Sequence, residues 1–213
     1  MFVRNFYFVR HGETILNSEQ KRQGERGGLS PKGIEQAFKV GARLRNFKIK
    51  KIFCSPFERA MQTADEINKT LQTKNIEYTP LLEERRNPSE IVNLGYQDLL
   101  TKQAINSIDL SYHDPNARWA DEENFQDLKD RAFECQKYII DRAPNKSLFV
   151  THGIFLKMLL STMIYGKGLT VEQYIRLSVF NPADNAGLTV IKYHDWRIFS
   201  KNKWEIIAYN SNF

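Results

Sequence analysis

The sequence predicts an α/β domain, on three observations. An apolar, aromatic run, Phe6-Tyr7-Phe8-Val9, has the composition of a buried strand and stops abruptly at Arg10-His11-Gly12. A short apolar run followed at once by a helix signal returns at Ile52-Phe53-Cys54 before Ser55-Pro56, and at Leu148 to Thr151 before His152-Gly153. The 213 residues, 41% hydrophobic and 26% charged, are ample for one core, and no apolar run reaches membrane-spanning length.

Each element has its own justification. After the first strand, Gly12 marks a tight exit where backbone can approach a ligand. Gly27 to Gly33 opens a helix with Ser30 as N-cap and Pro31 at the first helical position. Ile34, Ala37, Phe38, Gly41 and Leu44 follow at helical spacing and predict its buried face. Lys50 to Cys54 reads as the second strand. Ser55 and Glu58 form a capping-box pattern around Pro56, which puts Arg59 just inside a helix, beside its positive end. Ile76 to Thr79 reads as a third strand leading to Leu81-Leu82-Glu83-Glu84-Arg85-Arg86. The least regular stretch runs from Asn87 to Glu123. Asn87-Pro88-Ser89-Glu90 could cap a short helix through Ile91, Val92, Leu94 and Leu99, and His113 to Asn116 is a turn. The stretch is expected to be an insertion over the strand ends, where a substrate lid would sit.

Phe125, Leu128, Ala132, Cys135 and Ile139 keep helical spacing up to Pro144. Ser147 to Thr151 is a strand, and the helix from Ile154 to about Tyr165 is apolar on nearly every side, so it is expected to be buried and to end at Gly166. Ala186 to Tyr193 and Lys203 to Tyr209 read as a closing antiparallel hairpin around Asp195 and Trp196. No repeat, low-complexity tract or linker interrupts the chain, so residues 1–213 read as one domain.

Net charge is +6. A basic excess favours anionic partners, but here it is spread: Lys48, Lys50 and Lys51, then Arg85 and Arg86, then Lys192, Arg197, Lys201 and Lys203. That distribution reads as solvated surface, not as a nucleic-acid stripe or a membrane patch. The two cysteines, Cys54 and Cys135, fit a reducing compartment, and the first residues lack a signal-peptide pattern, so a cytoplasmic protein is expected. No Cys/His or carboxylate spacing argues for a metal site.

Three strand ends therefore carry chemistry in similar settings: Arg10-His11-Gly12, Ser55 with Arg59, and Thr151-His152-Gly153. Open α/β sheets keep their ligand sites at such ends. Arginine forks match phosphate oxygens, neutral histidine is a competent nucleophile toward phosphorus, and a carboxyl group can protonate a leaving oxygen. Taken singly, either histidine would be a core residue satisfied by backbone, and Arg59 a surface residue on a capped helix. Their grouping favours a phosphate site. His113 and His194 read as surface residues, Cys54 as a buried strand residue, and Tyr112, Arg118 and Trp119 as lid or loop packing. Tyr193, Trp196, Trp204 and Tyr209 read as packing, not as a base-stacking platform.

Arg10-His11-Gly12-Glu13-Thr14 with Asn17, Ser55-Pro56 with Arg59-Ala60 and Gln62-Thr63-Ala64, and Thr151-His152-Gly153 together resemble the signature of the histidine phosphatase superfamily, also called phosphoglycerate mutase-like. Leu29-Ser30, Gly33 and Gln36-Ala37 are similar to the stretch that family has between its first two motifs, and the likeness runs from about Val3 to Thr189. The resemblance implies an α/β/α sandwich of three layers with a largely parallel central sheet. It implies a metal-independent phosphatase with no cofactor, in which His11 attacks phosphorus, and Arg10, Arg59 and His152 clamp the phosphoryl oxygens. Asn17 and Gln23 would help bind phosphate. The acid falls in a Leu-x-Glu pattern; Leu82-Glu83-Glu84 assigns it to Glu84, although Leu81-Leu82-Glu83 also fits. The chain departs from the family after Glu84, where Asn87-Pro88-Ser89-Glu90-Ile91 replaces the commoner Gly-x-Trp-Glu-Gly. The substrate is therefore expected to be a phosphorylated small molecule or a phosphoprotein of unread identity. The rival readings are phosphoglycerate mutase-type transfer and a non-catalytic phosphoryl-binding domain.

Overall fold

A computed structural model describes residues 2–73, 76–195 and 203–211. Its elements run, in order, β1 (Val3–Arg10), α1 (Ile15–Ser18), α2 (Pro31–Leu44), β2 (Lys51–Cys54), α3 (Glu58–Leu71), β3 (Ile76–Tyr78), α4 (Leu99–Ser111), α5 (Phe125–Arg142), β4 (Ser147–Thr151), α6 (Gly153–Tyr165), α7 (Val171–Phe180), β5 (Leu188–His194) and β6 (Trp204–Ser211). Among the described residues the strands form one six-stranded sheet in the order β3-β2-β4-β1-β5-β6. The four strands from β3 to β1 are mutually parallel, while β5 runs antiparallel to β1, and β6 to β5. The parallel part places the carboxyl ends of β1, β2, β3 and β4 on one side of the molecule. The site is built there.

Helices cover both faces, which completes the three layers. On one face, Ala37, Val40 and Leu44 of α2 and Ala60, Ala64 and Ile67 of α3 close over Tyr7, Val9, Ile52, Cys54, Leu148 and Val150. On the other, Leu128, Ala132, Cys135 and Ile139 of α5 and Phe155, Met158 and Leu159 of α6 bury Phe6, Phe8, Phe53 and Phe149. Phe149 stacks on Phe8 at 4.7 Å and on Phe53 at 5.1 Å, an aromatic ladder that pins three adjacent strands in register. Strands buried on both faces cannot alternate in polarity, hence the continuous apolar runs.

The structure corrects four local readings. In α2, Ile34 and Phe38 are exposed, and the buried stripe is Gly33, Ala37, Val40, Gly41 and Leu44. Small residues let α2 approach α3, so the stripe is set by closeness of packing and not by side-chain size. Ser55 and Glu58 form no capping box: α3 starts at Glu58 with Phe57 at the cap position and no side-chain cap. The Ser55 hydroxyl is engaged by His152 instead, and the Glu58 carboxylate accepts from Gly27 N–H and Gln62. The expected short helix after Asn87 is only a 3-10 turn, Ser89–Ile91, without a side-chain cap. Its neighbour α4, and later α7, were not read from the sequence. Arg85, grouped with the surface charges, is half-buried and hydrogen-bonds Tyr112.

Elsewhere the packing matches the reading. Tyr193 and Trp204 pack ring to ring at 4.7 Å, and Cys54 and Cys135 are buried and free. His113 is exposed, and half-buried His194 pairs with Glu205 at 2.7 Å. Trp196, Arg197 and Lys201 lie outside the described residues. Among the described residues, no helix is long and apolar enough to cross a membrane.

Candidate active site

A cavity of about 190 Å³ opens at the carboxyl ends of the parallel strands, lined by Arg10, His11, Asn17, Gln23, Arg59 and Glu84 among others. His152 stands directly behind His11, with the two rings 5.1 Å apart. The structure thus brings together every residue that the sequence nominated, from five separate stretches of chain.

His11 follows the last residue of β1 and is 3% exposed. Its backbone N–H donates to Thr151 O at 2.9 Å, and the next amide, Gly12 N–H, donates to Thr63 Oγ1 at 3.0 Å. The loop is thereby tied to both β4 and α3. It is also pressed onto α2: a Cβ on Gly33 would meet Glu13 O at 2.0 Å, and one on Gly12 would meet Gly33 O at 2.5 Å. Two backbones touch there, so only glycine fits.

His11 Nδ1 lies 2.8 Å from Gly12 O. A carbonyl can only accept, so Nδ1 carries the proton and Nε2 keeps a lone pair. Burial, reinforced by Arg59 and Arg10, holds the His11 pKa well below the usual histidine range. A neutral imidazole with a free Nε2 is a nucleophile.

His152 is fully buried, and its Nε2 lies 2.8 Å from Ser55 Oγ. That hydroxyl accepts from Phe57 N–H at 3.2 Å and keeps one proton and one lone pair, so it can donate to Nε2, the arrangement in which His152 carries its ring proton on Nδ1. Burial, then Arg59, keeps this ring neutral as well.

Arg10 donates to Ala183 O at 2.5 Å, and Arg59 to Gly24 O at 2.7 Å. Burial draws the Arg59 pKa down to about 10 and lowers that of Arg10, opposed in both by Glu84; each stays cationic at neutral pH. Arg10 Nε, Arg59 Nε and His152 Nδ1 are buried with no hydrogen-bond partner among the described residues. Buried polar atoms without partners are costly, and the two arginine donors on this cavity, with His152 Nδ1 behind them, describe a site that an anion with several oxygens would complete.

The amides are oriented by their neighbours. Gln23 Oε1 accepts from Thr14 Oγ1 at 3.0 Å; Asn17 Oδ1 accepts from Thr14 N–H at 3.3 Å and from Asn185 Nδ2 at 3.4 Å. With their oxygens engaged, both keep the NH₂ group as the available donor. Glu84 lies just after the 3-10 turn Pro80–Leu82, and its carboxylate accepts from Phe155 N–H at 2.9 Å and Ile154 N–H at 3.2 Å, at the start of α6. Glu84, and not Glu83, lines the cavity with His11. Glu83 faces Glu25, Glu123 and Arg131, and burial raises its pKa.

Sequence reasoning missed five contributors. Arg22, Asn87, Tyr96 and Lys157 line the same cavity, and Asn185 donates to His11 O at 3.1 Å. Lys157 carried the only readable signal, a lysine on the otherwise apolar α6. Its Nζ donates to Ser178 O at 3.1 Å, and burial lowers its pKa while Glu84 opposes.

A mixed α/β sheet with paired histidines and arginines at its parallel strand ends defines a phosphoryl-handling site. Residues 6–207 match the sequence model of the histidine phosphatase superfamily (branch 1), and the chain belongs to that family. The protein named probable phosphoglycerate mutase GpmB of Citrobacter koseri is 32% identical over 174 residues, covering 80% of this chain and 79% of that protein. Among solved structures, the alpha-ribazole phosphatase of Shigella flexneri superposes with a TM-score of 0.79 at 21% identity, over 97% of this chain and 96% of the other. A mycobacterial glucosyl-3-phosphoglycerate phosphatase does so with a TM-score of 0.79 at 18% identity, over 98% of this chain and 100% of the other. At those identities the superpositions establish the fold alone.

Proposed function

We propose that this protein hydrolyses phosphomonoesters through a phosphohistidine on His11. The observation that carries the reading is the His11 imidazole, neutral and protonated on Nδ1, in a cavity that holds two arginines with orphaned donors. The Nε2 lone pair attacks phosphorus as the bond to the leaving oxygen breaks. Arg10, Arg59 and His152 Nδ1–H stabilise charge on the equatorial oxygens. Glu84 serves as the acid, passing a proton to the leaving oxygen. In the second half, water attacks phosphorus, Glu84 takes a proton from it, and the P–N bond breaks to release phosphate and the neutral imidazole. Asn17 and Gln23 bind the phosphoryl group through their NH₂ donors. The chemistry asks for no metal or cofactor, since arginines and imidazoles supply the donors and the nucleophile.

Asn87 and Tyr96 on the cavity wall support the reading of residues 87–123 as its cover. Two free, buried cysteines support a cytoplasmic setting.

Phosphoglycerate mutase-type transfer is the second reading, favoured by the curated relatives' name and by the extra cations Arg22 and Lys157. Both reactions share the first half, so the test must separate them. With an aryl phosphate as donor and chelator present, wild type is expected to release phosphate, and His11→Ala to lose at least about 10³-fold in rate. Phosphate release that survives in His11→Ala defeats the proposal. Conversion of 3-phosphoglycerate to 2-phosphoglycerate faster than its hydrolysis establishes the mutase instead.

A further inference from the structure

Arg22 belongs to no motif, yet it lines the same cavity as His11. Its backbone is fastened from both directions. Arg22 N–H donates to Leu94 O at 2.9 Å, Asn93 N–H donates to Arg22 O at 2.8 Å, and Tyr96 N–H donates to Gln20 O at 2.9 Å. This ladder carries Tyr96 beneath the guanidinium, whose central carbon lies 4.9 Å from the ring centroid. A guanidinium laid on an aromatic face is held in orientation while its N–H edges remain available to acceptors.

No carboxylate takes up those edges among the described residues: the guanidinium makes no ion pair and no hydrogen bond there, and its Nε is buried without a partner. Asp109 attracts it only through space, while burial and the nearby Arg85 disfavour its charge. A desolvated cation in this condition is offset only when an anion arrives.

The charges of the cavity point the same way. Arg10, Arg22, Arg59 and Lys157 line it against the single carboxylate of Glu84. A phosphoryl dianion at His11 engages Arg10 and Arg59, and Lys157 has Glu84 and Ser178 O. Among the described residues, Arg22 alone of the four is left without an acceptor.

We propose that Arg22 is a specificity-determining residue that receives a second anionic group on the leaving part of the substrate, so that the protein favours phosphomonoesters of alcohols bearing a carboxylate. This rests on the phosphoryl reading of the His11 cavity and names the class of substrate it takes. A bidentate guanidinium–carboxylate pair in a partly desolvated site is worth about tenfold to a hundredfold in selectivity.

The test compares 4-carboxyphenyl phosphate with 4-carbamoylphenyl phosphate, which has the same shape but no charge. Wild type is expected to show a kcat/KM ratio of at least about ten in favour of the carboxylate. Arg22→Gln is expected to bring the ratio close to one. Arg22→Lys, which keeps the charge but not the fork, is expected to fall between them and serves if the Gln variant does not fold. A ratio near one in wild type, or a preference that persists in Arg22→Gln, overturns the proposal. The matching pair of benzylphosphonates, read by calorimetry, asks the same question of binding without turnover. Carboxylate-preferring binding with no hydrolysis of either ester defeats the hydrolase reading and sustains the role of Arg22; binding without that preference defeats the role of Arg22.

Discussion

At His11, one hydrogen bond to the Gly12 carbonyl puts the ring proton on Nδ1 and leaves Nε2 its lone pair, while Ser55 holds Nε2 of His152. Of the two imidazoles, His11 lines the cavity and fully buried His152 packs behind it. Glu84 is set apart from Glu83 by position, since only Glu84 shares the cavity with His11. Its role gives a residue-scale prediction. Glu84→Gln is expected to slow hydrolysis of alkyl phosphates by about 10²–10⁴-fold. It should slow nitrophenyl phosphate far less, because that leaving group departs without a proton. Glu83→Gln should reproduce neither effect, and a series of leaving groups of graded basicity would reveal any exchange of roles.

Among the elements, α2 and the loop after β1 are the most tightly matched pair, since their glycines meet backbone to backbone at Gly12 and Gly33. Gly33→Ala must push the His11 loop away from α2. Overpacking of this kind is expected to cost about 1–3 kcal/mol, seen as a lowered denaturant midpoint, together with a fall in kcat. Retention of full activity and stability would mean the contact is looser than the structure shows. The same helix shows how far the sequence could be read. Arg10, His11, Arg59 and His152 were legible because each stands where an apolar run breaks into a helix signal. Ile34 and Phe38 were misassigned because helical spacing fits more than one stripe, and the stripe of Ala37 and Gly41 wins only when α3 is near enough to select small residues. Ser55 reads as a helix cap by spacing, and nothing local announces that its hydroxyl belongs to His152. Arg22 and Tyr96 are joined by a backbone ladder between distant segments, which no periodicity encodes.

For the molecule as a whole, two neutral imidazoles buried beside arginines link stability to pH. Unfolding frees both rings to bind protons below about pH 6.5, whereas the folded state, with its lowered pKa values, does not. Stability is therefore flat above that pH from these groups and falls as pH drops from about 6.5 toward the folded-state values, each ring contributing a slope of about 1.4 kcal/mol per pH unit. Denaturant unfolding between pH 7 and 5 should show this decline, and His11→Asn should make it shallower; an unchanged slope would place the proton uptake elsewhere. The sheet order carries another consequence, in the timing of assembly. Strand β1 leaves the ribosome before the other described strands, yet its neighbours are β4 and β5, which follow more than 130 residues later. The loop bearing His11 has to wait for nearly all the described chain before its strand is flanked. Such long-range closure makes for slow folding and leaves Phe6, Tyr7, Phe8 and Val9 uncovered meanwhile, so the segment that defines the site is also the one most in need of shelter during synthesis.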